Sequence, residues 1–179
     1  MRWQRLDPPG TDECELVRLP RGWRVEGLAQ FGAGRAAARL HYAVEADDAW
    51  RTRRAEVQGR VGEREIRLLA VRGAGDAWLI DGVPAPELQG LVDLDLGFTP
   101  ATNLFPIRRL ALEPGQGADA EAAWLDDERW TLRRLPQRYE RRDERTYWYE
   151  SPTAGYAALL TVTEDGFVSD YPGLWKAAR

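Results

Sequence analysis

The stretch DLDLGFTPATNLFPIRRL, residues 93–110, separates two parts of the chain that both have the character of β-structure. It combines two carboxylates, an asparagine, two threonines, two prolines and a double arginine with apolar residues. Proline removes a backbone donor and restricts the residue before it, which disfavours long helices here. Pro100 suits the first turn of a helix, so a short helix is predicted to begin near Thr99. Residues 82–106 are therefore predicted to form a short helical or irregular connector.

Segments on both sides of this connector alternate between apolar and polar residues, as strands do. In RAAARLHYAVEADDAW, from residue 35, Tyr42 lies on the apolar face and His41 on the polar face. In TYWYES, from residue 146, Tyr147 and Tyr149 share one face. Short turns rich in glycine and aspartate join these segments, which is typical of antiparallel meanders.

The two halves echo each other at DDAWRTRR, residues 47–54, and DDERWTLRR, residues 126–134, which differ by one insertion. The echo is compatible with a structural duplication, but short motifs in an arginine-rich sequence also match easily by chance, so both interpretations stay open. The length of 179 residues suits one domain over residues 1–179 with a single core. The patterns therefore predict a mainly β domain built from two meanders.

The composition argues against several classes of function. The formal net charge is −4, so a broad electrostatic footprint for nucleic acid is not expected. His41 is the only histidine and Cys14 the only cysteine, and no glycine-rich phosphate loop is present, so no metal centre, disulfide framework or cofactor is expected. No run approaches the ~20 apolar residues of a transmembrane segment, and no signal-like start is present, which favours a cytoplasmic location.

Polar side chains in and near the connector are candidates for a site. Asp93 and Asp95 are two apart, so a strand would present both carboxylates on one face. They could divide acid and base roles, as in glycoside hydrolases. The alternatives are that they form a solvated strand face or pair with Arg108 and Arg109. The arginine pair is predicted to begin a strand, with one guanidinium pointing inward to a partner or to a ligand's phosphate or hydroxyl group. Asn103 could hydrogen-bond the loop backbone or a ligand.

Aromatic residues are the second group of candidates. Eight tryptophans in so short a chain is a high number, and a buried tryptophan needs a partner for its N–H. Trp50, together with the tyrosines at 42, 147 and 149, could line an apolar cavity or stack on sugar rings. Ordinary core packing is the alternative.

The connector motif VDLDLGFTPATNLFPIRRL resembles the bacterial family known as "putative glycolipid-binding" proteins, formerly a domain of unknown function. The segments WRVEG, YAVEADDAWRTRRAEV, RYERRDERTYWYES and DGFVSDYPGLWKAA share the resemblance, which covers nearly the whole chain. Phe105 stands where leucine is more frequent in the family. The resemblance implies a single-domain antiparallel β-roll or half-barrel of two similar halves. It also implies glycolipid binding, although a fold does not by itself determine a function.

Together these observations predict a non-catalytic protein that binds a lipid or glycolipid-like amphiphile in an apolar, Trp- and Tyr-lined cavity of a curved sheet. The predicted ligand-binding residues are Asp93, Asp95, Asn103, Arg108, Tyr42, Trp50, Tyr147 and Tyr149. One alternative is an enzyme that acts on a sugar or lipid ester through the two aspartates. The other is an interaction module whose sheet contacts another protein or its own copy, as in a homo-oligomer.

Overall fold

The computed structural model of the chain describes residues 1–178 and is mainly β, as the sequence predicts. The strands, numbered in chain order, are β1 (Arg2–Leu6), β2 (Pro9–Leu19), β3 (Gly22–Phe31), β4 (Ala38–Ala46), β5 (Thr52–Val61), β6 (Arg64–Arg72), β7 (Trp78–Ile80), β8 (Val83–Pro84), β9 (Asp93–Leu96), β10 (Gly117–Asp119), β11 (Ala122–Asp126), β12 (Thr131–Leu135), β13 (Arg138–Arg141), β14 (Thr146–Ser151), β15 (Tyr156–Val162), β16 (Val168–Tyr171) and β17 (Trp175–Ala177). The helical elements are α1 (Leu104–Leu110) and the 3₁₀ helices Gly34–Ala36, Ala74–Asp76, Pro86–Leu88, Pro100–Asn103 and Pro152–Ala154.

Fourteen strands form one antiparallel sheet, in the order β10-β13-β14-β15-β16-β17-β1-β2-β3-β4-β5-β6-β7-β8. The first meander runs from β1 to β8, and the second occupies the other side of the sheet. Pairing of β1 with β17 joins the two meanders, so the chain ends lie next to each other. The sheet is open, with β8 and β10 at its edges.

Buried and exposed residues alternate along the strands of the first meander, so the sheet has two different faces. In β4, Tyr42 and Val44 are buried on what we call the inner face, whereas His41 is exposed on the outer face. The strand begins at Ala38, later than the alternation predicts, because Gly34–Ala36 forms a 3₁₀ helix.

The connector, residues 85–110 in the structure, packs on the inner face and joins the core between the two meanders. Its strand β9 pairs in parallel with β11, and β11 pairs with β12, to make a small second sheet. The predicted helical turn begins as expected, because the Thr99 hydroxyl accepts a hydrogen bond from the Ala101 N–H at 3.1 Å and Pro100 follows in the first turn. Phe98 and Phe105 are completely buried. The connector therefore supplies much of the core.

The prediction that Arg108 and Arg109 begin a strand is wrong, since both lie in α1. Pro106 is in the first turn of α1, where backbone N–H groups have no partner within the helix, so proline does not interrupt it. The first four residues of the helix, residues 104–107, are all buried and show no amphipathic period. The usual sequence signal of a helix is therefore missing.

The sequence echo corresponds to two turns with the same local structure. Trp50 and Trp130 both adopt left-handed backbone conformations, with φ of 61° and 58°. The side chains of Asp47 and Asp126 hold these turns by accepting hydrogen bonds from backbone N–H groups two to four residues further on. Each tryptophan ring packs against a phenylalanine of the connector. The two turns therefore pack against two different parts of the same connector, one at Phe105 and the other at Phe98.

Candidate functional site

Asp93 and Arg109 form a two-point ion pair between the connector strand and α1. Asp93 is 1% exposed and accepts from Arg109 Nε at 3.0 Å and from Nη2 at 2.5 Å. Burial raises the pKa of the Asp93 carboxyl, and Arg109 opposes that rise. The prediction that an aspartate of the connector pairs with one of the two arginines is thus confirmed for Arg109. Arg108 is exposed and lies over the Trp50 ring at 5.1 Å.

Asp95 has a different partner from Asp93, and this partner, Gln137, directly precedes β13 of the second meander. Gln137 Nε2 donates to the Asp95 carboxylate at 2.5 Å and to the Tyr149 hydroxyl at 3.0 Å. Burial raises the pKa of Asp95 to about 6, with a smaller contribution from neighbouring carboxylates. Asn103 makes a similar link, because its Nδ2 donates to the Tyr139 hydroxyl at 2.8 Å.

Tyr42 connects the first meander to the connector through a residue that the sequence analysis missed. Its hydroxyl donates to Asp12 of β2 at 2.9 Å and lies 3.3 Å from the Thr99 hydroxyl. The ring crosses Gly27 of β3, where a Cβ atom would come within 2.6 Å of the tyrosine hydroxyl. Burial raises the pKa of Asp12 to about 6. The only sequence signal for this contact is that Asp12 lies two residues before Cys14, so both side chains point to the buried face of β2.

The structure brings some of the eight predicted residues together. Trp50 meets Arg108, and Asp95 and Tyr149 share Gln137, whereas the other four contact separate partners. Tyr147 is buried under the guanidinium of Arg141. Ligand contact by these eight residues stays a prediction.

A recess with both apolar and charged lining residues, here called the side pocket, lies between β6 to β8 and the β11–β12 hairpin. Its volume is about 360 Å³, within the usual range for small-molecule sites. Its apolar lining includes Ile66, Leu68, Ile80, Val83, Trp130 and Leu132. Val83 is 65% exposed and borders the mouth, while the left-handed turn positions Trp130 over Phe98 at 5.9 Å between ring centres. The sequence could not predict this pocket because the hairpin belongs to the second sheet.

A larger recess, here called the outer groove, crosses the outer face of β1 to β5. Its volume is about 920 Å³. Strand register places Glu13, Leu28, His41 and Gln58 side by side on four successive strands, although they are far apart in sequence. The charged residues that line it are Arg2, Asp12, Glu13, Glu15, Glu26 and Glu56. The charged residues of the groove are therefore mainly acidic, and three of them, Glu13, Glu26 and Glu56, are paired with arginines.

Residues that line the two recesses are neighbours in the β5–β6 pair, but Ile66 and Leu68 of the side pocket lie on the inner face. Gln58 lines the outer groove, Arg67 lines the side pocket, and these two residues are directly paired across the strands. Among residues 1–178, no three His, Cys, Asp or Glu side chains converge as a metal site, and no helix has the length and apolarity to cross a bilayer.

Comparison with known proteins shows two similarities. Residues 1–177 match the model of a family described as "Putative glycolipid-binding". The chain is also similar to the crystal structure of a DUF1089 family protein from Pseudomonas aeruginosa, with 30% sequence identity and a TM-score of 0.81. That similarity covers 93% of this chain and 92% of the other. No match to a curated protein is found.

Proposed function

The chain belongs to the family described as "Putative glycolipid-binding", and on that premise we propose that it is a non-catalytic protein that binds a lipid or glycolipid-like amphiphile. The observation that carries this proposal is the apolar part of the side pocket, because an alkyl chain needs apolar contacts in a recess that opens at the surface. Trp130 forms one wall, and the exposed Val83 offers apolar contact at the mouth.

Burial of an alkyl chain in the side pocket supplies only part of the affinity. A chain of about eight carbons would gain about 6 kcal/mol at about 0.8 kcal/mol per CH₂ group. Association costs at least about 4 kcal/mol in lost translational and rotational freedom. The remaining binding energy must come from polar contacts outside the pocket, which favours an amphiphile over a simple hydrocarbon.

Binding of octyl glucoside, kept below the concentration at which it forms micelles, tests the proposal. Native mass spectrometry would detect the complex, and titration followed by tryptophan fluorescence would measure its affinity. Val83→Asp should weaken binding at least about tenfold, because it places a charge where the alkyl chain enters. Leu159→Asp is the matched control, since Leu159 is a similarly exposed apolar residue on the second meander. No binding to the native protein, or equal effects of the two variants, would overturn the proposal.

The enzymatic alternative has less support, because each aspartate is already engaged by a protein side chain. Asp93 is held by Arg109 and Asp95 by Gln137. Of the predicted ligand-binding residues, Tyr42 is buried on the inner face, where its hydroxyl donates to Asp12. The single-domain organisation, the cytoplasmic location and association with a second copy stay predictions.

A further inference from the structure

We infer that the side pocket selects an amphiphile with a negatively charged head group, and that Arg64 binds this group. The inference rests on the proposed function, since the apolar part of the same pocket would hold the alkyl chain. It adds the charge of the head group and its position, neither of which follows from the apolar lining.

Arg64 continues the apolar wall of the side pocket. It precedes Ile66 by two residues and Leu68 by four in β6, so all three side chains point to the inner face of the sheet. All three residues line the pocket. An arginine in this position extends the apolar row with the methylene groups of its side chain and ends the row with a guanidinium. One wall of the pocket is therefore amphipathic along its length.

The Arg64 guanidinium has donors available for a ligand. Within residues 1–178, its only hydrogen bond runs from Nη1 to the carbonyl oxygen of Arg129, in the turn before β12, at the long distance of 3.5 Å. Arg64 is exposed and forms no ion pair in the same described part of the chain. The planar fork of a guanidinium matches the oxygens of a carboxylate or a phosphate. An anionic group at this end of the pocket would therefore find an uncommitted cation.

Glu65 and Arg67 line the pocket with backbone and not with charge. They alternate with the apolar row, so their side chains point to the outer face, where they pair with each other at 2.8 Å. Their backbones border the pocket because β6 pairs with β7 only from Ala70 to Arg72. Arg64 is therefore the one charged side chain that β6 directs to the inner face beside the pocket.

The two remaining acidic residues of the lining lie at the far end of the pocket. Asp81 accepts a hydrogen bond at 2.8 Å from the N–H of Leu69, which is five residues along β6 from Arg64, or about 17 Å in a strand. Glu87 lies beside Arg134 near the end of β12, since Arg134 Nη1 donates to the Glu87 carbonyl oxygen at 3.0 Å. The pocket is therefore positive at one end and negative at the other, which favours an anionic head group at Arg64 with its alkyl chain along the apolar row.

Four ligands with the same octyl chain separate this inference from the proposed function. Octyl phosphate, nonanoate, octyl glucoside and octylammonium would be titrated calorimetrically at pH 7, below their micellar concentrations. Both anions should bind at least about fivefold more tightly than the glucoside, and the ammonium should bind least tightly. If no ligand binds, the proposed function fails. If all four bind equally and all depend on Val83, only the inference about the head group fails.

Arg64→Gln tests the position of the head group. It should bring the affinities for both anions down to about that of the glucoside, because glutamine is polar but has no charge. Arg60→Gln is the matched control, since it removes the same charge from the same hairpin but on the outer face, opposite Glu65. Both positions are exposed, so urea unfolding should show unchanged stability in both variants. An unchanged preference for anions in Arg64→Gln, or an equal loss in Arg60→Gln, would overturn the assignment.

Discussion

Replacing Asp12 with asparagine should stabilise the protein at neutral pH and leave it unchanged in acid. Asp12 is 1% exposed, and burial raises its pKa from 3.8 to about 6, although hydrogen bonds from Thr99 and Tyr42 oppose the rise. The folded protein therefore keeps the Asp12 proton up to about pH 6, whereas the unfolded chain releases it near pH 3.8. The free energy of unfolding consequently falls as the pH rises between these values.

The difference in pKa corresponds to about 3 kcal/mol, at about 1.4 kcal/mol for each pH unit. Asparagine resembles the protonated carboxyl group, since it can accept from the Tyr42 hydroxyl and donate towards Thr99. Asp12→Asn should therefore gain up to about 3 kcal/mol above pH 6 and close to nothing below pH 4.

Urea unfolding at several pH values between about 4 and 8, at constant ionic strength, measures this difference. Subtracting the free energy of unfolding of the native protein from that of the variant at each pH removes the contribution of the other titrating groups and leaves that of Asp12. Asp165→Asn, in an exposed turn, controls for the substitution itself. Tyr42→Phe should show the opposite trend and lose more stability at high pH, because it removes a donor to the ionised carboxylate. A difference that does not vary with pH, or a variant that is less stable than the native protein at pH 8, would refute the reasoning.

Two further substitutions test how the connector and the sheet are held. Arg109→Met should destabilise the protein by about 3–5 kcal/mol, because it leaves the buried Asp93 carboxylate unpaired; adding Asp93→Asn should recover part of the loss in urea unfolding. Gly27→Ala should lower the thermal midpoint, at a cost of about 1–3 kcal/mol, because its Cβ would come within 2.6 Å of the Tyr42 hydroxyl. Gly73→Ala is the control, since its Cβ would meet nothing closer than 3.8 Å, and equal midpoints for the two alanine variants would contradict the close approach.

The candidate site was only partly predictable, because its contacts depend on packing between distant segments. The sequence placed two carboxylates and two arginines close together, and the pairing of Asp93 with Arg109 followed. It could not assign Asp95 to Gln137, which lies 42 residues further along the chain. Asp12 was missed because an isolated aspartate on a strand has no distinctive sequence signal until Tyr42 reaches it across Gly27.

By itself, the sequence determined the fold class and the position of the connector. Alternation with a period of two predicts strands with one buried face, and the threonine and proline at residues 99 and 100 begin a helical turn because of their own backbone chemistry. Only the tertiary structure decided that residues 104–110 form a helix, because its first four residues are all buried and give no amphipathic pattern that would reveal it. It also decided both recesses. Strand register sets Glu13, His41 and Gln58 side by side, and packing of a hairpin against a sheet edge creates the side pocket, so neither recess is a property of any one segment.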